Sequence, residues 1–370
     1  MVKEQRYAYK APLMLCVMFL FLMSGLTSIV WACRLLEPPA HAVDTLWVHL
    51  EGLCFSSDQR EWAVQGAEVL EALKAGKNLD FQGALVVGDV ILDQLPLQPV
   101  AEIPHIPHHI QEGLHQRGLD TIRVIPGAIT IRDSQFEKVL ATNLINDALV
   151  ILGKVDVSGT TFLQSMDFSK IIFAKPLVFS NVNVEHEGFF IGAQFEEAVD
   201  FSHTNFGTHS RFHKAVFRAP VTFAEVQFQG VAEFLEVEFQ QAANFSQANF
   251  LSGTGFSGSV FHGSVDFSEV KTKQEIYFRF SEFKEPVSFR HGKFQSVVDF
   301  SNSRFEGEHD FSEAEFAVQP DFTASNISVD VPVSGPTLNQ QSQWFIFGAL
   351  IILAGIYLWI SKRNAQGHSA

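Results

Sequence analysis

Four histidines close together in the chain are the residues best suited to binding a metal. His105, His108, His109 and His115 lie in and just after the run Ile-Pro-His-Ile-Pro-His-His, and imidazole nitrogens are common ligands of zinc and copper. The prolines restrict the backbone, and no carboxylate or cysteine completes a recognisable ligand spacing. We therefore rank these histidines as weak metal candidates, predict no metal site, and expect a loop that faces solvent or a partner.

An acidic or amide residue stands directly before many phenylalanines in the second half of the chain. The residues at this position are Asp167, Asp200, Asn244, Asp266, Asp299, Asp310 and Asp321. The carboxylates could form a ladder that attracts cations or a basic partner. Alternatively, the side chains satisfy turn backbone through local hydrogen bonds. We favour the second interpretation because the residue recurs where a turn is expected.

Motifs of the common enzyme classes do not occur. The sequence has no Gly-rich phosphate loop, nucleophile elbow or paired-cysteine motif. Ser, His and Asp are abundant, but an array rich in Ser and Asp places such residues together without catalysis. The sequence therefore predicts a protein that is not an enzyme and uses no cofactor.

Three cysteines are too few for a disulfide framework. Cys16 lies in an apolar segment, whereas Cys33 and Cys54 follow it. If both of these lie outside the cytoplasm, a disulfide between them can persist. Two free or buried thiols are the alternative.

The N-terminal region, residues 1–36, contains the first apolar segment. Ala11 to Ala32 carries no charge, follows three basic residues and precedes Arg34, and it is long enough to span a bilayer. It also fits a signal peptide cleaved at the small-residue site Ala40-His41-Ala42. A lipoprotein modified at Cys33 is less well supported, because the bulky Trp31 stands two positions before it.

A second apolar segment, residues 344–360, predicts a transmembrane helix. Trp344 and Trp359 are placed for the membrane interface, and Lys362-Arg363 begins a basic tail, residues 361–370. Because positive flanks lie before the first segment and after the second, we expect both termini in the cytoplasm of a bacterial cell and the intervening chain outside it. Gly348 and Gly355 could form a face for self-association.

Phenylalanine is the compositional anomaly, with 37 copies against 4 of tyrosine. Fifteen copies recur at a strict interval of 11 residues, which predicts one buried environment repeated many times. These predicted core residues are Phe168, Phe179, Phe190, Phe201, Phe212, Phe223, Phe234, Phe245, Phe256, Phe267, Phe278, Phe289, Phe300, Phe311 and Phe322.

A second series runs between the members of the first, so that spacings of five and six alternate. It is interrupted only at Val184, Thr272 and Ile327, and its other members are Phe162, Phe173, Phe195, Phe206, Phe217, Phe228, Phe239, Phe250, Phe261, Phe283, Phe294, Phe305 and Phe316. An 11-residue period also suits a helical coiled coil. The abundance of Val, Ser, Asn, Asp and Gly favours strands and turns instead.

The pattern of a small residue, then Asp, Asn or Glu, then Phe resembles the pentapeptide-repeat family. Ala248-Asn249-Phe250 and Ala314-Glu315-Phe316 show it, and Val265-Asp266-Phe267-Ser268 is similar to the phenylalanine-rich, 11-residue branch. The resemblance implies an all-β solenoid, a right-handed four-sided β-helix whose large and small residues point inward. The extra residue in every second unit predicts about 22 residues per coil instead of 20.

The remaining chain is divided by the same pattern. Residues 58–76 predict an N-terminal capping helix, with Asp58 and Glu61 at its start and Gly76 at its end. Residues 79–161 predict irregular early coils with a proline-rich insertion at 97–130. The solenoid follows at 162–327, and a polar linker at 328–343 leads to the C-terminal span.

The function predicted from these features is a membrane-anchored, non-catalytic scaffold or protein-interaction module displayed on the periplasmic or extracytoplasmic side. The net charge of −15 also suits an acidic DNA-mimic inhibitor of a topoisomerase, which the resemblance implies as one alternative. That alternative conflicts with the predicted topology, so no nucleic acid is expected. A metal-handling protein centred on the histidine insertion is the other alternative, and the partner of the leading function is an unknown protein.

Overall fold

The computed structural model describes residues 32–142 and 147–333, and these residues form a β-solenoid. Successive short strands join four sheets in turn, and each sheet runs along the length of the solenoid. Among the described residues, no helix is long and apolar enough to cross a bilayer. Both predicted spans, the tail and residues 334–343 of the predicted linker lie outside the described residues, so those predictions stay predictions.

The first sheet has twelve strands and begins at the N-terminal end. Its β1–β2 pair is antiparallel and every later pair is parallel. In spatial order the strands are β1 Arg34–Leu35, β2 Thr45–Glu51, β4 Asn78–Gln82, β9 Ile129–Arg132, β13 Val155–Asp156, β17 Leu177–Val178, β21 Val199–Asp200, β25 Val221–Thr222, β29 Ala243–Asn244, β33 Val265–Asp266, β37 Val287–Ser288 and β41 His309–Asp310.

The second sheet has eleven strands, and most of them end on a phenylalanine of the second series. In spatial order they are β3 Val64–Gln65, β5 Leu85–Val87, β10 Gln135–Phe136, β14 Thr161–Phe162, β18 Asn183–Val184, β22 Asn205–Phe206, β26 Gln227–Phe228, β30 Asn249–Phe250, β34 Lys271–Thr272, β38 Lys293–Phe294 and β42 Glu315–Phe316.

The third sheet has nine strands, and the last seven directly precede phenylalanines of the first series. They are β6 Val90–Ile91, β11 Leu140–Ala141, β15 Met166–Asp167, β19 Glu187–Phe189, β23 His209–Arg211, β27 Val231–Glu233, β31 Thr254–Gly255, β35 Ile276–Tyr277 and β39 Val298–Asp299.

The fourth sheet has ten strands and carries the insertion at its N-terminal end, where β7 pairs with β8 in antiparallel fashion. The strands are β7 Leu97–Pro99, β8 Thr121–Ile125, β12 Leu149–Ile151, β16 Ile171–Phe173, β20 Gln194–Phe195, β24 Val216–Phe217, β28 Glu238–Phe239, β32 Val260–Phe261, β36 Glu282–Phe283 and β40 Arg304–Phe305.

Strand register confirms a coil of 22 residues in the regular array. Phe206 pairs with Phe228, and Phe228 pairs with Phe250, each 22 positions further on. Before the array most offsets are longer: Val86 aligns with Phe136, and Phe136 with Phe162. The early coils therefore keep the same four sheets while accommodating extra residues between strands.

Aromatic columns fill the interior of the array. Of the 28 phenylalanines in the two series, 27 are buried, and Phe322 at the C-terminal end is partly buried. Within a column, rings lie parallel: Phe212 and Phe256 each stack on Phe234 with centroids 4.7 Å apart. Phe223 meets Phe234 edge-on at 5.3 Å. Parallel stacking within columns and edge contacts between them are both favourable ring geometries.

Small inward residues make room for these rings. Ala193, Ala215, Ala248, Ser259 and Ala314, each two positions before a phenylalanine of the second series, are all buried. Several inward hydroxyls donate to backbone carbonyls; Thr204 Oγ1, for example, donates to the carbonyl oxygen of Phe179 at 2.6 Å.

The N-terminal end differs from the prediction of one capping helix over 58–76. Two helices form there, α1 (Ser56–Glu61) and α2 (Gly66–Lys74), separated by β3. The Asp58 side chain accepts a hydrogen bond from the Phe55 backbone N–H at 2.9 Å, so Asp58 lies inside the first turn and is not the residue that precedes the helix. Only α2 presents an apolar face to the core, through Val69, Leu70 and Leu73.

The prediction of a polar linker from residue 328 is wrong for its first part. Val331 is buried in the main core, Val329 packs against it, and Val333 forms a parallel bridge with Phe316. Alternating valines let this segment add a final rung over the exposed end of the Phe columns. Residues 328–333 therefore close the C-terminal end of the solenoid.

The insertion is also more ordered than a proline-rich loop. It contains a short 3₁₀ helix at Val100–Glu102, the helix α3 (His108–Gln116) and strand β8, and another 3₁₀ helix at Leu92–Gln94 precedes it. Ile110 and Leu114 of α3 join a second apolar core. That core includes Val150 and Ile172 from the outer side of the fourth sheet, so the insertion covers the first coils of that sheet.

Candidate interaction surfaces

The structure does not bring the four candidate histidines together as a ligand set. His108 contacts Glu112 at 3.5 Å, and His115 contacts Asp120 at 3.5 Å. His109 Nε2 lies 2.8 Å from Glu196 Oε2 on the outer side of the fourth sheet. His105 precedes α3 with a left-handed φ of 63°. Within residues 32–142 and 147–333, no three His, Cys, Asp or Glu side chains are grouped to hold a metal.

His109 therefore joins the insertion to the array. Its partner Glu196 is nearly buried, with 7% of its side chain exposed, and also accepts a hydrogen bond from Arg218 Nε at 3.1 Å. A carboxylate with two partners is better compensated for its loss of water than one with a single partner. This contact links α3 to β20 and the next coil.

The acidic residues before the phenylalanines bind the backbone of the next turn. Asp200 Oδ1 accepts the Ser202 N–H at 2.9 Å, Asn244 Oδ1 accepts that of Ser246 at 2.8 Å, and Asp266 Oδ1 accepts that of Ser268 at 2.8 Å. The same contact recurs at Asp167, Asp299, Asp310 and Asp321. The local hydrogen-bond interpretation thus describes all seven residues.

These carboxyl groups do not share one electrostatic environment. Burial is the main influence on Asp167 and raises its pKa above the ordinary value, despite hydrogen bonds from Ser169. Burial also acts on Asp299, but hydrogen bonds from Ser301 and Arg279 outweigh it and lower the pKa. At Asp310 the hydrogen bonds from Ser312 are the largest influence and lower the pKa.

A second 11-residue signal, missed in the sequence, marks the corners. The residue two positions after each of the fifteen phenylalanines of the first series has a left-handed φ between 55° and 73°. Gly159, two after Val157 and one interval earlier, shares it, which makes sixteen positions from Gly159 to Ala324. Only three of the sixteen are glycine. A left-handed φ costs residues other than glycine about 1–2 kcal/mol, so glycine would be expected at these corners. Because most of the corner residues are not glycine, the sequence shows no sign of this backbone conformation. The strict interval could have revealed the corner, but not its conformation.

Cys33 and Cys54 form a disulfide. Next to it Ala32 forms a parallel bridge with Leu53, and Arg34 binds Glu51. The chain thus enters the fold immediately after the first apolar segment.

The first sheet carries a long shallow groove of about 1030 Å³ along seven coils, from β17 to β41. The residue before the strand is small or cyclic in six of the seven coils and is Glu308 in the seventh. Five of these six are exposed: Ala198, Pro220, Ala242, Ser264 and Pro286. Between them, buried aliphatic residues such as Val199 and Val221 form the floor. The sequence shows these residues at 22-residue intervals, but the groove emerges only when register aligns them.

The second sheet carries side-chain amides on its outer side. Asn205 Nδ2 donates to Asn183 Oδ1 at 2.7 Å, and Asn249 Nδ2 donates to Gln227 Oε1 at 2.9 Å. Further along, Lys271 and Lys293 occupy the same column and pair in register. This side therefore changes from neutral amides to two lysines and then to Glu315, whose Oε1 lies 3.4 Å from Lys293 Nζ.

On the third sheet, a coil with glycines at its outward positions is followed by a coil with aromatic side chains there. Gly253, Gly255 and Gly258 stand 22 positions before Glu275, Tyr277 and Phe280. Arg279 lies 4.7 Å over the Tyr277 ring, and the Phe280 side chain is 64% exposed. Phe280 belongs to neither Phe series, and it occupies a corner where the interior is out of reach.

Comparison with known proteins gives a match only within the regular Phe array. No curated protein matches the chain. Residues 223–271 match the family model described as pentapeptide repeats (9 copies), and these residues lie in the middle of the stacked Phe columns. This match supports the pentapeptide-repeat family, and the residues it covers form part of a β-solenoid.

Proposed function

We propose that the chain is a membrane-anchored, non-catalytic scaffold whose solenoid is displayed outside the cytoplasm and binds a partner protein along the groove of the first sheet. The four sheets also support the right-handed, four-sided β-helix expected from the family resemblance. Anchoring rests on the apolar segments at 11–32 and 344–360 and their basic flanks.

The groove is the observation that carries the interaction role. In six of its seven coils the rim residue projects little beyond the backbone, so a partner can approach closely along these coils. An extended apolar surface with polar groups at its edge is typical of protein-binding sites. The carboxylates beside it, such as Asp200 and Asp266, already bind their own turns.

The location of the solenoid is tested separately from its binding to a partner. In intact cells whose outer barrier has been opened, added protease should reach the solenoid of the full-length protein and spare the C-terminal tail. Protection of the solenoid from protease would contradict display outside the cytoplasm.

Binding is tested by photo-crosslinking in the same cells, with the crosslinker placed in the groove at Thr222. Ser264→Trp should fill the groove and abolish the partner adduct, because the ring occupies the space above Val265. Ser296→Trp, at the corner between the second and third sheets, is the matched control and should leave the adduct unchanged. Equal adduct from both variants would refute the groove as the binding surface.

A further inference from the structure

The residues that follow the first apolar segment are built into the fold in a way that conflicts with cleavage at the predicted site. Processing after Ala42 would remove Cys33 and all of β1, leaving Cys54 without its disulfide partner and the outer edge of β2 unpaired. An unpaired strand edge and a free thiol are both liabilities outside the cytoplasm. These contacts favour a segment that is retained as an anchor.

Resting on the membrane anchoring proposed above, we propose that the solenoid lies along the membrane with its second sheet facing anionic lipid headgroups. The first argument is reach. The first sheet has twelve strands, and Val333 adds one rung beyond β42. At about 4.8 Å per rung, β1 and Val333 are about 58 Å apart along the solenoid.

The two tethers are too short for the solenoid to stand upright. At the N-terminal end, the predicted span stops at Ala32, which is already bridged to Leu53 and so leaves no slack. At the other end, residues 334–343 separate Val333 from the predicted span at Trp344. Ten residues extend to at most about 36 Å, and a flexible chain of that length averages about 18 Å. An upright solenoid would need about 58 Å.

The length of the C-terminal tether therefore limits the angle between the solenoid axis and the membrane. With both ends held at one membrane, the C-terminal end rises no further than the tether permits. The axis then stays within about 40° of the membrane plane at full extension and within about 20° for a relaxed tether. One side of the solenoid must consequently face the lipid.

Charge selects the second sheet as that side. From β14 to β42, its strands contain two lysines, Lys271 and Lys293, and one carboxylate, Glu315. Over the same coils, the strands of the first sheet contain three aspartates and no lysine or arginine, and the third and fourth sheets also hold more carboxylates than cations. The second sheet is thus the one with a positive balance in a chain of net charge −15.

The surroundings of these lysines fit a headgroup surface. Lys273 lies beside Lys271, and all three lysines are exposed. At the corner toward the third sheet, the residue two positions after each second-series position of the second sheet is uncharged from Thr208 to Val318, with Glu275 next to it in one coil. The Val318 side chain is 47% exposed. The opposite corner carries Glu225, Glu269 and Glu313, so the solenoid would tilt away from that corner. Cations near an anionic leaflet each add favourable binding energy.

The test uses the full-length protein in nanodiscs of phosphatidylethanolamine and phosphatidylglycerol that contain a lipid-attached quencher. A fluorescent amino acid replaces Gln229 on the second sheet or, as the matched control, Gln240 on the fourth. Quenching should be several-fold stronger at position 229. A variant with Lys271→Glu, Lys273→Glu and Lys293→Glu should lower it, whereas Lys284→Glu with Arg304→Glu on the fourth sheet should not.

The outcomes separate this inference from the anchoring on which it rests. Intact mass shows whether residues 1–42 are retained, and flotation with vesicles shows whether the protein is anchored. Equal quenching at positions 229 and 240 in a protein that floats would overturn the proposed orientation and leave anchoring intact. Loss of residues 1–42 would free one end and overturn the reach argument. Failure to float would instead contradict the proposed function.

Discussion

The N-terminal region, from β1 to β13, and the regular array, from β14 to β42, build the same four sheets with different interiors. The array stacks identical rings, so each coil repeats the last one in register. The N-terminal region uses aliphatic residues and leaves a small cavity of about 40 Å³ where the two interiors meet, near Val157 and Phe168. The backbone ladder fixes the coil, and the side chains decide how tightly it is filled.

The comparison extends to what each region tolerates. In the array, an extra residue in one coil would move every later ring out of its column. The N-terminal region accommodates a long insertion between β6 and β8, because a second apolar core covers it from outside. Regular packing therefore restricts length, and aliphatic packing permits insertions that can acquire other roles.

The largest expected effect is the loss of a ring from the middle of the array. Phe234→Ala should lower the free energy of unfolding by about 3–5 kcal/mol, since stacked neighbours on a fixed ladder cannot collapse into the space. Val157→Ala, beside the existing cavity, should cost about 1 kcal/mol. Denaturant unfolding of the full chain in detergent, followed by far-UV circular dichroism, measures both. Equal losses would remove the distinction between the two interiors.

The disulfide should matter only to the N-terminal region. Cys54→Ser opens a loop with a sequence separation of 21 residues and should cost about 3 kcal/mol by the chain-entropy estimate. Because each coil contacts only its neighbours, hydrogen exchange should quicken in β1, β2 and β4. Exchange in β26 to β42 serves as the internal control, and faster exchange there would show coupling along the whole solenoid.

One substitution made in each region should have opposite signs. Gly192 is a corner residue with a φ of 63°, so Gly192→Ala should destabilise the array by about 1 kcal/mol. Gly113 lies inside α3, and a Cβ added there meets nothing within 4 Å. Gly113→Ala should therefore stabilise the insertion by up to about 1 kcal/mol. Thermal unfolding reports both changes, and a shared sign would mean that the corners relax.

How far the sequence predicts this molecule also differs between the regions. The Phe interval predicts the solenoid and its 22-residue coil, because a single repeated environment leaves a single repeated residue. It does not predict the corner conformation, since Lys, Glu, His and Asn together occupy that position more often than glycine does. Nor does it predict the groove, which depends on small residues 22 positions apart becoming neighbours.

The sequence predicts the N-terminal region and the last rung less well, for a physical reason. The apolar pattern of residues 62–73 is compatible with one helix, but β3 interrupts it to pair with β5. Likewise Val329 and Val331 are too few to distinguish a final rung from a linker. Where tertiary pairing decides between local alternatives, a single sequence lacks the deciding information.

The smallest expected effect concerns two aspartates with the same turn contact. Asn244 shows that an amide oxygen can accept this hydrogen bond, so Asp→Asn changes the charge and keeps the turn. Asp299 has a lowered pKa; its stabilisation is present above the unfolded pKa and is lost as pH falls through the folded value. Asp167 has a raised pKa; its contribution is present below the unfolded pKa and is lost as pH rises through the folded value.

Asp299→Asn should therefore lower stability at pH 7 by about 0.5 kcal/mol, and the difference from the parent protein should vanish in acid. Asp167→Asn should cause no loss at pH 7 and a slight gain, because the amide avoids burying a charge. Unfolding midpoints measured from pH 3 to 7 give both curves. If both variants lose stability at pH 7, then burial at the start of the array does not penalise the charged form, and the first coil of the array is as well solvated as the last.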